Sequence, residues 1–344
     1  MAQTNDVKIT IAIFGMGRMG KIHFQNALIN AQIVVKYIVE AIPEVAEKVT
    51  KMYQLEDKIQ VVSLDDADIV YKDKCVDAVM VITPAFTHHD IIEKALKAGK
   101  AVFSEKPLAP TLAAVEALYE LADSANKPLF CAFNRRWDPQ LRSIHNSIKG
   151  GDIGNIRMVK SCSRDPPGLS SMEYHRTSGG IFLDMVIHDI DMVCWLAGET
   201  PTTLTCTAHA HDDSFKEIGD YDTVAIMMNF PSGCTGLIDT SRCCNYGYDQ
   251  RVEIHGPGGM LQSENLRETA LHTWTGEGMR VGQIPFLAPI RYKEAYKLEL
   301  DHFVNVVLGK ETSEVTSKCT INAIKIALAC DESAKTNQPV TLQY

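Results

Sequence analysis

Apolar residues follow two different rhythms along this chain. Up to about residue 130, short apolar runs alternate with longer stretches of helical periodicity. KITIAIFG leads into RMGKIHFQNALIN, QIVVKYIVEA into PEVAEKVTKMYQ, VDAVMVITP into HDIIEKALKAG, and AVFSEKP into LAAVEALYELADSAN, before KPLFCAFN closes the series. A strand that is apolar throughout is covered on both faces, and the intervening helices supply the cover. The pattern predicts an α/β domain with a doubly wound parallel sheet, whose ligands sit at the carboxyl ends of the strands.

Beyond that point IRMVKSCSRD, TTLTCTAHA, DTVAIMMNF, CTGLIDTSRC and QRVEIHG read as strands of alternating or β-rich character, some joined by tight turns such as Pro231–Gly233. Short links between consecutive strands predict a largely antiparallel open sheet. One clear helix, GGIFLDMVIHDIDMVCWLAG, interrupts the series, and helical stretches over EAYKLELDHFVNVVLG and KCTINAIKIALACDESAK close the chain. The expected division is a first domain over 1–130 and a second, α+β domain over 131–344.

Composition narrows the function. The 344 residues carry a formal charge of −9 and no basic run, which argues against nucleic acid or an anionic membrane as partner. The polar N-terminus MAQTNDVK reads as neither a signal peptide nor a membrane span. The ten cysteines include no C-x-x-C and fall mostly in apolar runs, as in a reducing, cytoplasmic setting. His209 and His211 share one face of a strand but have no third ligand at useful spacing, so no metal is expected.

Candidate chemistry begins at GMGRMG, residues 15–20, between the first strand and the first helix. That context turns a bare glycine hexad into the dinucleotide fingerprint of a Rossmann domain. Gly15 permits the tight turn, Gly17 the approach of a pyrophosphate, and Gly20 close packing of helix on strand; Met16, Arg18 and Met19 complete the loop. The helix N-terminus offers open N–H groups and the positive end of its dipole to phosphates. Glu40 ends the second strand at the distance required for a ribose-binding acid, and its charge repels a 2′-phosphate, so NAD is expected rather than NADP.

SEKP, residues 104–107, ends another strand on the ligand-facing edge, where Lys106 can stabilise negative charge on a substrate oxygen; a solvated surface lysine is the alternative. Asp184 and His188 stand four apart on the interrupting helix and share a face. Oxidation of an alcohol needs a base for the hydroxyl proton, and histidine suits that task near neutrality. Asp184 either holds substrate or orients the imidazole, and a buried histidine satisfied by Asp184 or Asp191 remains the bland reading. Thr83, Pro84 and His88 in TPAFTHH line a nicotinamide ribose or cap a helix. Arg135 in NRRWD and Asp165 in SRDPP suit a polyhydroxylated substrate or a salt bridge.

In this order, GMGRMGKIH, Glu40, ITPAFTHHD, AGKAVFSEKPLA, NRRWDP, GGIFLDMVIHDIDMVCWLAGE and RYKEAYKLELDHFVNVVLG resemble the Gfo/Idh/MocA oxidoreductases over nearly the whole chain. The last segment looks most like the inositol 2-dehydrogenase branch. The resemblance implies a catalytic set of Lys106, Asp184 and His188. It implies cofactor contacts at Gly15, Met16, Gly17, Arg18, Met19, Gly20, Glu40, Thr83, Pro84, His88, Glu105 and Lys106, and substrate contacts at Arg135, Asp165, Asp184 and His188. It further implies a homodimer or homotetramer paired through the open sheet, and NAD-dependent oxidation of a cyclic polyol such as myo- or scyllo-inositol. An aldose or trans-dihydrodiol dehydrogenase is the alternative within the family, and an NAD-sensing regulator the alternative outside catalysis. One departure is Ala85, where family members often carry asparagine.

Overall fold

Six strands form the first sheet: β1 (Ile9–Phe14), β2 (Ile33–Glu40), β3 (Gln60–Ser63), β4 (Ala78–Val81), β5 (Ala101–Ser104) and β6 (Leu129–Cys131). In this computed structural model, which describes residues 7–344, their order is β3-β2-β1-β4-β5-β6 and every pairing is parallel. The short, half-polar β3 is the one strand of the sheet that the apolar pattern does not announce. The apolar runs identified in the sequence are buried as their composition requires, with β4 and β5 covered throughout. The chain crosses from one side of β1 to the other between β3 and β4. The carboxyl ends of β1 and β4 therefore flank the switch point, where ligands bind in such sheets.

By its contacts the chain divides into two compact units. The first comprises residues up to Phe133 together with Tyr296–Ile321; the second comprises Asn134–Ala295 and Asn322–Tyr344. The return of 296–321 to the first unit is absent from the sequence pattern. Aromatic packing explains it: buried Phe303 meets the Phe103 ring edge-on at 5.5 Å and lies 5.9 Å from Phe130. Tyr119 Oη donates to Thr320 at 2.8 Å, and the Asn30 amide donates to Asp301 at 2.6 Å.

The second unit is built on a seven-stranded mixed sheet. Its strands include β7 (Met158–Arg164), β8 (Thr203–His209), β9 (Thr223–Asn229), β10 (Thr235–Ser241), β11 (Asp249–Gly256) and β12 (Gly259–Ser263). A separate exposed hairpin, β13 (His272–Thr275) with β14 (Gly278–Val281), precedes the last strand, β15 (Val340–Thr341). The order is β12-β11-β7-β10-β9-β8-β15, antiparallel except where β10 runs parallel to β7. Period-two alternation gives β9 a buried face of Val224, Ile226 and Met228 and an exposed one of Ala225, Met227 and Asn229. Helix Ile187–Ala197 lies on the buried side, where Gly236 leaves room for Val193. Opposite, charged pairs such as Lys160–Glu253 (3.1 Å) and Arg164–Asp239 (2.5 Å) stand on the open face. Among the described residues no helix is long and apolar enough to cross a membrane, and no three metal-ligating side chains form a cluster.

Candidate active site

The glycine loop joins β1 to helix α1 (Arg18–Ile29), and each glycine answers a different steric demand. Gly15 has φ +93°, and a Cβ there would lie 2.5 Å from the Ile82 carbonyl oxygen at the end of β4. A Cβ on Gly20 would strike the Gly15 carbonyl. Gly17 is the opposite case: it is exposed, its φ is −69°, and a Cβ would meet nothing within 4 Å. The protein itself does not require glycine at 17, but an approaching pyrophosphate does. Gly17 is the N-cap of α1 and no side chain caps the helix, so its first amides and positive dipole end face outward. Met16 is buried, Arg18 exposed and Met19 half-buried.

Glu40 closes this cradle. Its carboxylate accepts the Met16 amide at 2.6 Å and the Ile42 amide at 3.2 Å, so the acid that ends β2 holds the loop that ends β1. An uncrowded Gly17, an uncapped helix start and a carboxylate beside the loop suit a dinucleotide. Gly15 to Gly20 would cradle its phosphates and Glu40 its ribose hydroxyls.

The ends of β4 and β5 are tied together by His88. This fully buried ring sets Nδ1 2.7 Å from the Pro107 carbonyl and Nε2 2.8 Å from the Thr83 carbonyl. Thr83 also receives the Thr87 hydroxyl at 2.6 Å, while Pro84 is exposed. His88 thus braces the loops that carry Thr83 and Lys106. Lys106 is half-buried, and the half-buried glutamate before it pairs with a buried histidine of α1: His23 Nε2 lies 2.8 Å from Glu105 Oε1. Burial works against the Glu105 charge, but the hydrogen bond and charge of His23, with help from Lys106 and His88, hold its carboxyl below the ordinary value. Sequence reasoning assigned His23 no role, although it stands within GMGRMGKIH.

In the second unit, Asp184 lies in a five-residue π-helical turn, Phe182–Val186, that runs into helix Ile187–Ala197 carrying His188. The sequence predicts one continuous α-helix here; the wider π turn is a common device at functional positions. Asp184 and His188 are both half-buried. Asp184 Oδ1 receives the Tyr174 hydroxyl at 2.7 Å, and Oδ2 lies 3.7 Å from the buried Arg242 guanidinium. Asp165 directly follows β7, its amide bonded to the Ser241 carbonyl at 2.8 Å. Burial and the charges of Asp184 and Asp189 push its carboxyl up to about 7, against the pull of Arg135 and Arg242. At that value Asp165 can both donate to and accept from a hydroxyl near neutrality.

Arg135 is buried and committed to protein partners. It donates to Asp189 at 2.6 Å and to Ser163 at 3.1 Å, and its guanidinium lies over the Tyr292 ring at 5.7 Å. Arg136 donates to both oxygens of Asp191, at 2.8 and 2.5 Å. The paired arginines of NRRWD therefore clamp the two aspartates that follow His188. Tyr174, Asp220 and Arg242, which contact or flank Asp184, carry no local sequence signal. Lys106 belongs to the first unit, and Asp184 and His188 to the second.

Two family profiles match the chain. The profile described as "Oxidoreductase family, NAD-binding Rossmann fold" matches residues 9–133, and that of the GFO/IDH/MocA C-terminal domain matches 141–262. The chain belongs to the GFO/IDH/MocA oxidoreductase family. It is 35% identical over 300 residues to an inositol 2-dehydrogenase of Rhizobium meliloti, covering 87% of this chain and 88% of that one. It is 33% identical to a myo-inositol 2-dehydrogenase of Thermotoga maritima over 97% of this chain and 98% of that one. Among solved structures, the scyllo-inositol dehydrogenase of Lactobacillus casei with bound NAD(H) and scyllo-inositol superposes with a TM-score of 0.88 at 29% identity, covering 97% of this chain and 99% of the other. Membership in this NAD-binding oxidoreductase family establishes NAD as the cofactor of the first unit.

Proposed function

We propose that the chain is an NAD-dependent dehydrogenase that oxidises a ring hydroxyl of a cyclic polyol, myo- or scyllo-inositol, to the ketone. One observation carries this reading: relatives known as inositol 2-dehydrogenases align with 87% and 97% of the chain. Bound NAD supplies the hydride acceptor. Lys106 stabilises charge on the reacting oxygen, and His188 takes the hydroxyl proton on a ring nitrogen while Asp184 orients the imidazole. Asp165, able to donate and accept, holds a neighbouring ring hydroxyl. Arg135 acts in place, shaping the Asp165 and Asp189 side of the site through its charge.

The first unit binds NAD; the second binds substrate and mediates association. We assign the open sheet face to a homodimer or homotetramer contact. A broad depression of about 610 Å³ on that face is lined by Ala225, Met227 and Leu237 among charged side chains. Ten free thiols favour a reducing, cytoplasmic setting.

Absorbance at the NADH band tests the reading, with NAD or NADP against myo-inositol, scyllo-inositol, glucose, xylose and a cyclohexanediol. NAD-linked turnover of an inositol is expected. Turnover of an aldose alone would move the protein to another branch of the family. Lys106→Ala and His188→Ala variants that each turned over inositol normally would remove the catalytic roles.

A further inference from the structure

Asp184 is gripped from two sides by groups outside the set assigned to catalysis. The short helix Met172–Thr177 starts at Ser171, whose hydroxyl accepts the Tyr174 amide, and from it the Tyr174 phenol donates to Asp184 Oδ1 at 2.7 Å. On the far side, Arg242 lies 3.7 Å from Oδ2. That guanidinium is itself anchored by Asp220 at 2.5 Å and by the Tyr221 carbonyl at 3.3 Å, over the Phe215 ring at 5.0 Å. Asp220 also accepts the Ile181 amide at 3.0 Å, which fixes the backbone just before the π turn. Asp165 and His175, in the same unit, also lie within electrostatic reach of this carboxylate. A carboxylate is free to swing about its last torsion unless hydrogen bonds choose a direction for it. Here the phenol fixes Oδ1 by a hydrogen bond, while the guanidinium, 3.7 Å away, attracts Oδ2 by charge alone.

We propose that Tyr174 is a positioning residue of the dehydrogenase: its hydroxyl sets the direction of the Asp184 carboxylate and, one turn further along, the imidazole of His188. The inference rests on the reading of Asp184 and His188 as the catalytic pair. Tyr174 is 45% exposed, so removal of its hydroxyl leaves packing nearly untouched.

Steady-state oxidation of myo-inositol at saturating NAD, with and without deuterium at the reacting carbon, tests this in Tyr174→Phe and Tyr174→Leu. Both variants are expected to lose on the order of tenfold in kcat, the cost of one hydrogen bond to a charged group. Both should keep the NADH dissociation constant, and KM should change by less than kcat. Their primary isotope effect on kcat should rise, because the chemical step is the one slowed; a smaller active fraction would leave it unchanged. Wild-type kinetics in Tyr174→Phe would overturn the inference, as would a loss confined to Tyr174→Leu, which would mean that the ring matters and the hydroxyl does not. Failure of the wild-type chain to oxidise inositol would overturn the polyol reading and this inference with it, whereas an active wild type beside an unaffected Tyr174→Phe would overturn this inference alone.

Discussion

Gly17→Ala separates what the fold needs from what the cofactor needs. A methyl group at this position meets no atom of the protein within 4 Å, and φ −69° with ψ −160° is open to any residue. Alanine narrows the unfolded ensemble, which favours folding by about 0.4–1 kcal/mol. It is also a poorer N-cap than glycine, at a cost of similar size. The two terms oppose each other, so the ligand-free variant should melt within about 2 °C of wild type. Binding is another matter. The methyl occupies the space through which a pyrophosphate reaches the amides of the α1 N-terminus, and loss of one charge-assisted bond costs about 1.5–3 kcal/mol. The NADH dissociation constant should therefore rise roughly tenfold to a hundredfold. The assay is titration of NADH fluorescence paired with thermal melts without cofactor. Gly15→Ala and Gly20→Ala serve as contrasts: their methyls would strike backbone, so both stability and binding should fall. A Gly17→Ala protein that binds NADH as wild type does would refute the cradle. One that melts far lower without ligand would refute the claim that the site is sterically open.

Other consequences can be checked with simple measurements. Glu40→Ala removes the acceptor of the Met16 amide and the proposed ribose partner, so NAD affinity should fall and the preference over NADP shrink, read as the ratio of kcat/KM for the two cofactors. Asp165, raised to about 7 from an unfolded value near 3.8, contributes stability that is present below pH 3.8 and lost as pH rises through 7. Asp165→Asn lacks that loss. The stability lost from pH 5.5 to 8.5, followed through the melting temperature, should be smaller in the variant by about 1–2 kcal/mol once partial solvent screening is counted, and equal slopes would contradict the argument. Arg136→Ala strands the buried Asp191 carboxylate and should cost about 3–5 kcal/mol in urea unfolding; a change below 1 kcal/mol would show that the pair is dispensable.

The residues alone determined those features that depend on near neighbours. β1, β4 and β5 are buried as their continuous apolar runs require, and the glycine loop sits between strand and helix because its steric logic spans only six positions. Glu40 was legible for the same reason, since it ends the strand that follows that helix. The antiparallel character of the second sheet was legible from short links and alternation. What the pattern could not carry was pairing at a distance. His23 and Glu105 are 82 positions apart, and Arg135 and Asp189 are 54 apart. Nothing in either neighbourhood names the other, because a buried charge accepts whichever partner the fold delivers. The return of 296–321 to the first unit turns on Phe303 finding Phe103 and Phe130, and any apolar helix face offers such a residue. The D-x-x-x-H spacing foretold a shared helical face for Asp184 and His188. Only the tertiary structure decided that the face begins in a π turn, and that Tyr174 and Arg242 hold its first carboxylate, because the direction of a side chain is set by the groups packed around it.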